Sequence, residues 1–207
     1  MKVLMINGSP RENGNTALSL KEMEKVFAAE GIEVETIHVG GMDIRGCIAC
    51  RSCGETGRCV FDDVVNELAP KLDEADALVV GTPVYFANAN ATLMALLQRL
   101  FFSVQDWIEM RMKVGAGVVV SRRGGSSSTY DELNKFFGIS GMPIATSQYW
   151  NMTYGREEGE AAEDGEGMQT MRTLARNMIF LMKSMALGFE KYGLPEKEEP
   201  VATHFIR

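Results

Sequence analysis

Four cysteines, Cys47, Cys50, Cys53 and Cys59, fall within 13 residues, and the rest of the 207-residue chain has none. Disulfides that staple a small secreted domain close long loops, and a chain of this length does not need them. Clustered thiols suit a metal or redox centre instead. Two consecutive C-x2-C steps bring three thiolates to one small centre, as a [4Fe–4S] cluster requires, and a short loop with Gly54 and Gly57 can fold the fourth back. Zinc usually takes separated C-x2-C pairs. The run also departs from the bacterial ferredoxin pattern, because its last spacing is longer and Val60 follows in place of proline. Free thiols are the third reading of this spacing.

A second chemistry-bearing segment is Gly8-Ser9-Pro10-Arg11-Glu12-Asn13-Gly14-Asn15-Thr16. It follows an apolar run, residues 2–7, and precedes a helical pattern. Short polar side chains and glycine let backbone N–H groups converge on an anion, and a helix N-terminus adds its positive dipole end. Ser9, Asn13, Asn15 and Thr16 can add hydrogen bonds, and Arg11 can add charge. The spacing is one residue too long for a Walker loop and the lysine is missing; a dinucleotide G-x-G-x-x-G is also absent. A monophosphate fits better than a triphosphate.

The elements that must position these segments follow from periodicity. Strands are predicted at 2–7, 33–39, 76–83, 114–121 and 142–149, and helices at 16–30, 62–74, about 90–106, a stretch ending near Gly138, and 168–187. Pro143 cannot donate a ladder hydrogen bond, so the fifth strand belongs at a sheet edge or has Pro143 at its start. Five apolar strands alternating with helices imply an α/β protein, a three-layer sandwich around a five-stranded parallel sheet in the order 2-1-3-4-5. Met168, Met171, Ala175, Met178, Met182 and Met185 recur at helical spacing, and the reading preferred is a helix docked on its own domain rather than a subunit seam. Residues 1–190 form one domain, and 191–207 a polar tail.

Charge and composition exclude several functions. The net charge is −7, but residues 156–166 hold six acids against one arginine, so the acidity is mostly one loop. That segment reads as a solvated surface excursion, with a rim of the binding crevice as the alternative. No basic stripe is present to neutralise phosphates, which argues against nucleic acid. No apolar run is long enough for a signal peptide or membrane span, so the expected location is the cytoplasm and Asn90 and Asn151 are chance glycosylation matches. Of the two histidines, His38 reads as structural and His204 lies in the tail; neither stands near a nucleophile motif, which removes hydrolases. Asp62 and Asp63 read as the cap and first-turn charge of the helix they precede. The Gly124–Thr129 run reads as a helix start beside the ligand.

The loop G-S-P-R-x-N-G-N-T resembles the FMN phosphate loop of the NAD(P)H-dependent FMN reductase group within the flavodoxin-like superfamily. Gly81-Thr82-Pro83-Val84-Tyr85-Phe86-Ala87-Asn88 resembles the family loop that cradles the isoalloxazine ring, and Ser121-Arg122-Arg123-Gly124-Gly125 its third flavin-side loop. The resemblance thus implies FMN held by Ser9, Arg11, Asn13, Asn15, Thr16, Pro83, Val84, Tyr85, Phe86, Asn88, Ser121, Gly124 and Gly125. One of Arg122 and Arg123 is expected to meet the flavin or a phosphate of a nicotinamide cofactor. With the cysteine run, the chain resembles the iron–sulfur flavoproteins over residues 1–187, which implies a [4Fe–4S] cluster with Cys47, Cys50, Cys53 and Cys59 each ligating one iron. The segments around Phe136, Pro143 and Trp150 look closer to a broad branch of flavodoxin-family oxidoreductases.

The resemblance implies an FMN-dependent oxidoreductase with no catalytic acid or base of its own, since FMN carries the chemistry. Its donor is expected to be a ferredoxin-like protein or NAD(P)H, its acceptor a quinone or flavin, and its assembly a homodimer or homotetramer. The cysteine loop is expected beyond the phosphate side of FMN, so a short electron path would cross a subunit boundary. A cluster-free NAD(P)H-dependent FMN or quinone reductase, and a non-catalytic carrier or redox sensor, are the alternatives.

Overall fold

The computed structural model describes residues 1–203, so His204 lies outside the described residues. Its five parallel strands are β1 (Lys2–Asn7), β2 (Glu33–His38), β3 (Ala77–Pro83), β4 (Val114–Ser121) and β5 (Met152–Tyr154), in the order β2-β1-β3-β4-β5. The helices are α1 (Asn15–Ala29), α2 (Ser52–Thr56), α3 (Val64–Glu74), α4 (Ala91–Val104), α5 (Ser126–Ile139) and α6 (Gly165–Tyr192).

The two periodicities sort the side chains into two cores. Along β1, Val3 and Met5 face α1 and α6, packing with Leu20, Met23 and Phe27, whereas Leu4 and Ile6 face Leu68, Leu96 and Leu100 on α3 and α4. β3 repeats the split, with Ala77 and Val79 on one side and Leu78 and Val80 on the other. All of these side chains are buried, which is why the strands read as continuous apolar runs. Gly115 lets α5 close on β4: a Cβ there would stand 2.6 Å from the Phe137 ring.

The long last helix is docked on its own domain, as its methionine spacing predicts. Met171, Ala175, Met178 and Met182 enter the core shared with α1, and Arg172 adds an ion pair to Glu22 at 2.6 Å. Asp164 caps α6 by accepting from Gly167 N at 2.9 Å. The helix continues to Tyr192, five residues past the predicted end at 187.

The fifth strand departs from its predicted place. The sheet pairing of Pro143 and Ala145 is to Gly115, in an isolated bridge centred on Ile144, and the chain leaves the sheet before returning as β5 beside Val119–Ser121. The cause is local. Pro143 has no N–H to give, the apolar pattern ends at Ala145, and the polar groups that follow are taken by α6. Ser147 donates to Thr170 O at 2.7 Å, Asn177 to Thr146 O at 2.7 Å and Thr173 to Gln148 at 2.9 Å. Asn151, fully buried, reaches back to Ala145 O, and Asn90 caps α4, so neither is a surface glycosylation site.

Met178→Ala is expected to cost about 2–5 kcal/mol and to lower Tm by roughly 2–4 °C per kcal/mol, with no change of oligomeric state in size-exclusion chromatography. A changed oligomer with an unshifted melt would mean that α6 serves a subunit seam.

Candidate functional site

Three loops leave the carboxyl ends of β1, β3 and β4, the side on which an open α/β sheet carries its ligand crevice. The first runs from Gly8 to α1 and is built by its own polar groups. Ser9 N donates to Asn7 Oδ1 at 3.1 Å, Arg11 N to Ser9 Oγ at 3.1 Å and Gly14 N to Arg11 O at 3.2 Å. His38 Nε2 lies 2.7 Å from Ser9 O, which gives that histidine the structural role predicted for it.

The α1 N-terminus is left unsatisfied. Gly14 at its cap supplies no side chain, the first turn has no acid, and the buried Thr16 Oγ1 has no hydrogen-bond partner among the described residues. Free N–H groups and an orphaned hydroxyl on a positive helix end form an anion site. Arg11 and Asn13 stand exposed beside it. Asn15 does not face it: its Oδ1 accepts from Gly159 N and Ala161 N, each at 3.1 Å, and its Nδ2 donates to Glu157 O at 2.8 Å. Asn15 therefore fastens the acidic segment beside the loop: Ala161 is fully buried, while most of the segment's other residues are exposed.

The second and third loops lock together. Tyr85 and Asn88 exchange backbone hydrogen bonds at 2.9 and 3.0 Å around Phe86 and Ala87, both at positive φ. Phe86 is fully exposed and Tyr85 half so, while Pro83 and Val84 are partly buried beneath them. Gly125, at φ +89°, packs so closely that a Cβ would meet Ala87 Cα at 2.8 Å, and Ser128 Oγ donates to Ala87 O at 2.8 Å. Ser121 is buried and its hydroxyl pairs with that of Ser126 at 2.7 Å; Gly124, Arg122 and Arg123 are exposed beside the turn. Apolar atoms with an exposed aromatic pair thus stand beside an anion site, which fits a planar ring carrying a phosphate arm.

The cysteines form a separate pocket. After β2 the chain crosses the α3/α4 face, and Cys47, Cys50, Cys53 and Cys59 line one small cavity with Phe61, Arg99, Phe102 and Ser103. Cys47 and Cys50 are exposed, and Cys53 is buried on α2, a one-turn helix that periodicity did not reveal. Ala49 and Arg51 adopt positive φ on either side of Cys50, and strain of this kind concentrates at functional turns. Asn66 clamps the far end, accepting from Cys59 N at 2.8 Å and donating to Cys59 O at 3.0 Å and Phe61 O at 3.1 Å. Trp107 Nε1 donates to Cys53 O at 3.1 Å.

Electrostatics differ among the thiols. Burial pushes the Cys53 thiol up, and the other three sulfurs add to this, whereas hydrogen bonds from Ser52 pull Cys50 down. Among the described residues no three ligating side chains converge on one ion position. The four cysteines instead line one small cavity, and a cluster that takes one thiolate per iron at its periphery asks for four thiols gathered on one site.

One residue of this pocket was not legible as functional. Arg99, in the apolar run of α4, is 2% exposed. It donates to Cys59 Sγ from Nε at 3.3 Å and Nη2 at 3.1 Å, and to the Asp63 carboxylate from Nη1 at 2.7 Å and Nη2 at 2.9 Å. Burial weakens its charge, yet Asp63 and Cys59 more than offset this and hold the guanidinium above its ordinary range. The one signal was a charge among leucines, which only a partner could explain. Asp63 is also the α3 cap, accepting from Val65 N at 3.1 Å, as predicted.

A doubly wound sheet in this order, with three loops at its carboxyl ends, is the flavodoxin-like architecture. Residues 1–157 match the family described as NADPH-dependent FMN reductase, and the chain belongs to it; it is an FMN-dependent oxidoreductase. An iron–sulfur flavoprotein of Methanocaldococcus jannaschii is 36% identical over 190 residues, covering 88% of this chain and 98% of that one. The iron–sulfur flavoprotein of Methanosarcina thermophila is 31% identical over 195 residues, covering 92% and 100%. Among solved structures the fold is shared with RosB bound to a formylriboflavin phosphate intermediate (TM-score 0.70, 17% identity, 100% and 94% covered). It is shared too with an NAD(P)H:quinone oxidoreductase from Methanothermobacter marburgensis (TM-score 0.66, 15% identity, 86% and 96% covered). No helix among the described residues is long and apolar enough to cross a membrane.

Gly40, just after β2, packs directly against the first loop. A Cβ there would stand 2.2 Å from Ser9 C and O, main-chain atoms that cannot yield without moving the first loop. Gly40→Ala is expected to destabilise by about 1–3 kcal/mol and to weaken FMN retention. The control Gly41→Ala, whose Cβ meets only His38 Cε1 at 3.8 Å, should leave both unchanged in thermal melts and fluorescence titrations.

Proposed function

We propose that the chain is an electron-transfer flavoprotein that holds FMN on its three carboxyl-end loops and a [4Fe–4S] cluster in the cysteine pocket. The observation that carries this reading is that all four cysteines line one small cavity on a chain of the FMN reductase family. The curated relatives named iron–sulfur flavoproteins support it. FMN would accept electrons as a pair or singly and so connect two-electron and one-electron partners.

The residues have separate tasks in this reading. Thr16, Ser9, Arg11 and Asn13, with the first-turn N–H groups of α1, would hold the phosphate. Pro83, Val84, Tyr85, Phe86 and Asn88 would line the ring, with Ser121, Gly124 and Gly125 at its far side. Asn15 would act through the acidic segment that it fastens. Cys47, Cys50, Cys53 and Cys59 would ligate the irons. Arg99, the pocket's buried arginine, lies roughly 12 Å along α4 from its first residue at 1.5 Å per residue, so one helix links ring loop and cysteine pocket.

The donor proposed is a ferredoxin-like protein or NAD(P)H, the acceptor a quinone or free flavin, in a homodimer or homotetramer where the short electron path crosses a subunit boundary. A monomer with full flavin-to-cluster transfer would defeat that last element. The cluster-free NAD(P)H reductase is the second reading, favoured by the exposed Arg122 and Arg123 beside the ring-side turn. Turnover of NAD(P)H with quinone by a cluster-free sample would select it.

Anaerobic purification should yield about four irons and four sulfides per FMN, with broad absorption beneath the flavin bands. Serine at any one of the four cysteines should lose iron while FMN is retained. FMN alone after iron–sulfide reconstitution would defeat the cluster reading.

Thr16 offers a sharper check of the phosphate site. Because its hydroxyl has no partner among the described residues, Thr16→Val should leave the apoprotein melt unchanged. The FMN dissociation constant should rise by roughly tenfold or more, the scale of a hydrogen bond to a charged group. Riboflavin, which lacks the phosphate, should bind both proteins alike.

A further inference from the structure

We infer that Arg99 is a positioning residue that sets the reduction potential of the centre bound by the cysteines, with Asp63 as its counterweight. The inference rests on the cluster reading above and deepens it.

The geometry is specific. Two N–H groups of one guanidinium, Nε at 3.3 Å and Nη2 at 3.1 Å, converge on a single sulfur, Cys59 Sγ. The side chain is almost wholly buried, and its remaining donors go to Asp63 and, at 3.3 and 3.5 Å, to Arg45 O and Phe61 O. Its carbon Cζ also lies 5.0 Å from the Phe61 ring centroid. All three guanidinium nitrogens thus have partners, and the charge is fastened beside Cys59.

Structural tethering alone does not need a cation there. Asn66 already fixes Cys59 through both its N–H and its C=O, and Trp107 holds Cys53. The arginine adds charge where the backbone is already held. Arginine does not lose its proton in proteins, so the interaction persists at all working pH values.

The direction of the effect follows from charge. Reduction of the cluster adds one electron and breaks no bond, so the thiolate-bound centre becomes more negative by one. Donors aimed at a ligand sulfur favour the more negative state and raise the potential. The Asp63 carboxylate, 2.7 and 2.9 Å from the same guanidinium, opposes this. The pair therefore acts in two directions, and each can be removed separately.

The test is a mediated dithionite titration of the reconstituted holoprotein, following the cluster by EPR and visible absorption, with iron and sulfide assayed on every sample. Arg99→Gln should lower the ratio of reduced to oxidised cluster at a fixed potential by tenfold or more, about 59 mV for one electron. Asp63→Asn, which keeps an acceptor for the α3 cap, should shift it the opposite way. Opposite shifts with full iron content support the inference, because mere loosening of the loop would move both variants alike. Equal or absent shifts in fully loaded variants overturn it while the cluster reading stands. If Arg99→Gln takes up no cluster, Asp63→Asn decides alone: a raised potential supports the assignment and an unchanged one overturns it. A wild-type protein that takes up no iron and sulfide would overturn the cluster reading itself, and this inference with it.

Discussion

A parallel sheet buried on both faces dictates where this chain can do chemistry. From Val3 to Ile6, from Ala77 to Val80 and at Val114, Ala116, Val118 and Val119, the side chains are spent on one core or the other. Polar groups can gather only where the strands end. The helices α1, α4 and α5 start at those carboxyl ends, so their positive poles face the same crevice. The anion site at Thr16 and the turn at Phe86 are consequences of this burial.

Much of the fold was legible because the strands obey it. Runs such as KVLMIN and VGAGVVVS admit one reading in a chain that alternates with amphipathic helices, and strand count with loop chemistry leads to the order 2-1-3-4-5. The edge was harder to read. A strand at the margin has one neighbour, and polar contacts from α6 outweighed the pairing beyond Ala145, so the strand expected at 142–149 became a bridge and a later three-residue strand.

The site was legible in its types and less so in its directions. Ser9, Thr16, Gly125 and Tyr85 lie on or beside the loops at the carboxyl ends of the strands, but nothing local shows that Asn15 turns to the acidic segment, because its partners lie more than 140 residues away. Arg99 was hidden for a related reason. Its partners, Cys59 and Asp63, are 40 and 36 residues distant, and in α4 alone it reads as a blemish in an apolar face. Asp63 was read as a helix cap, which it is; the guanidinium it also holds could be seen only in three dimensions.

The contacts that hold the first loop, from His38 and Gly40, lie before the cysteine segment begins. Those that hold the segment, from Asn66, Asp63, Arg99 and Trp107, touch none of the three carboxyl-end loops. The two shells share a helix but no side chain. Such a layout is modular: residues 45–62 can drift, lose a thiol or be exchanged for another insert while the flavin shell keeps every contact it has. A lineage built on this scaffold could gain or abandon a second redox centre without first rebuilding the first.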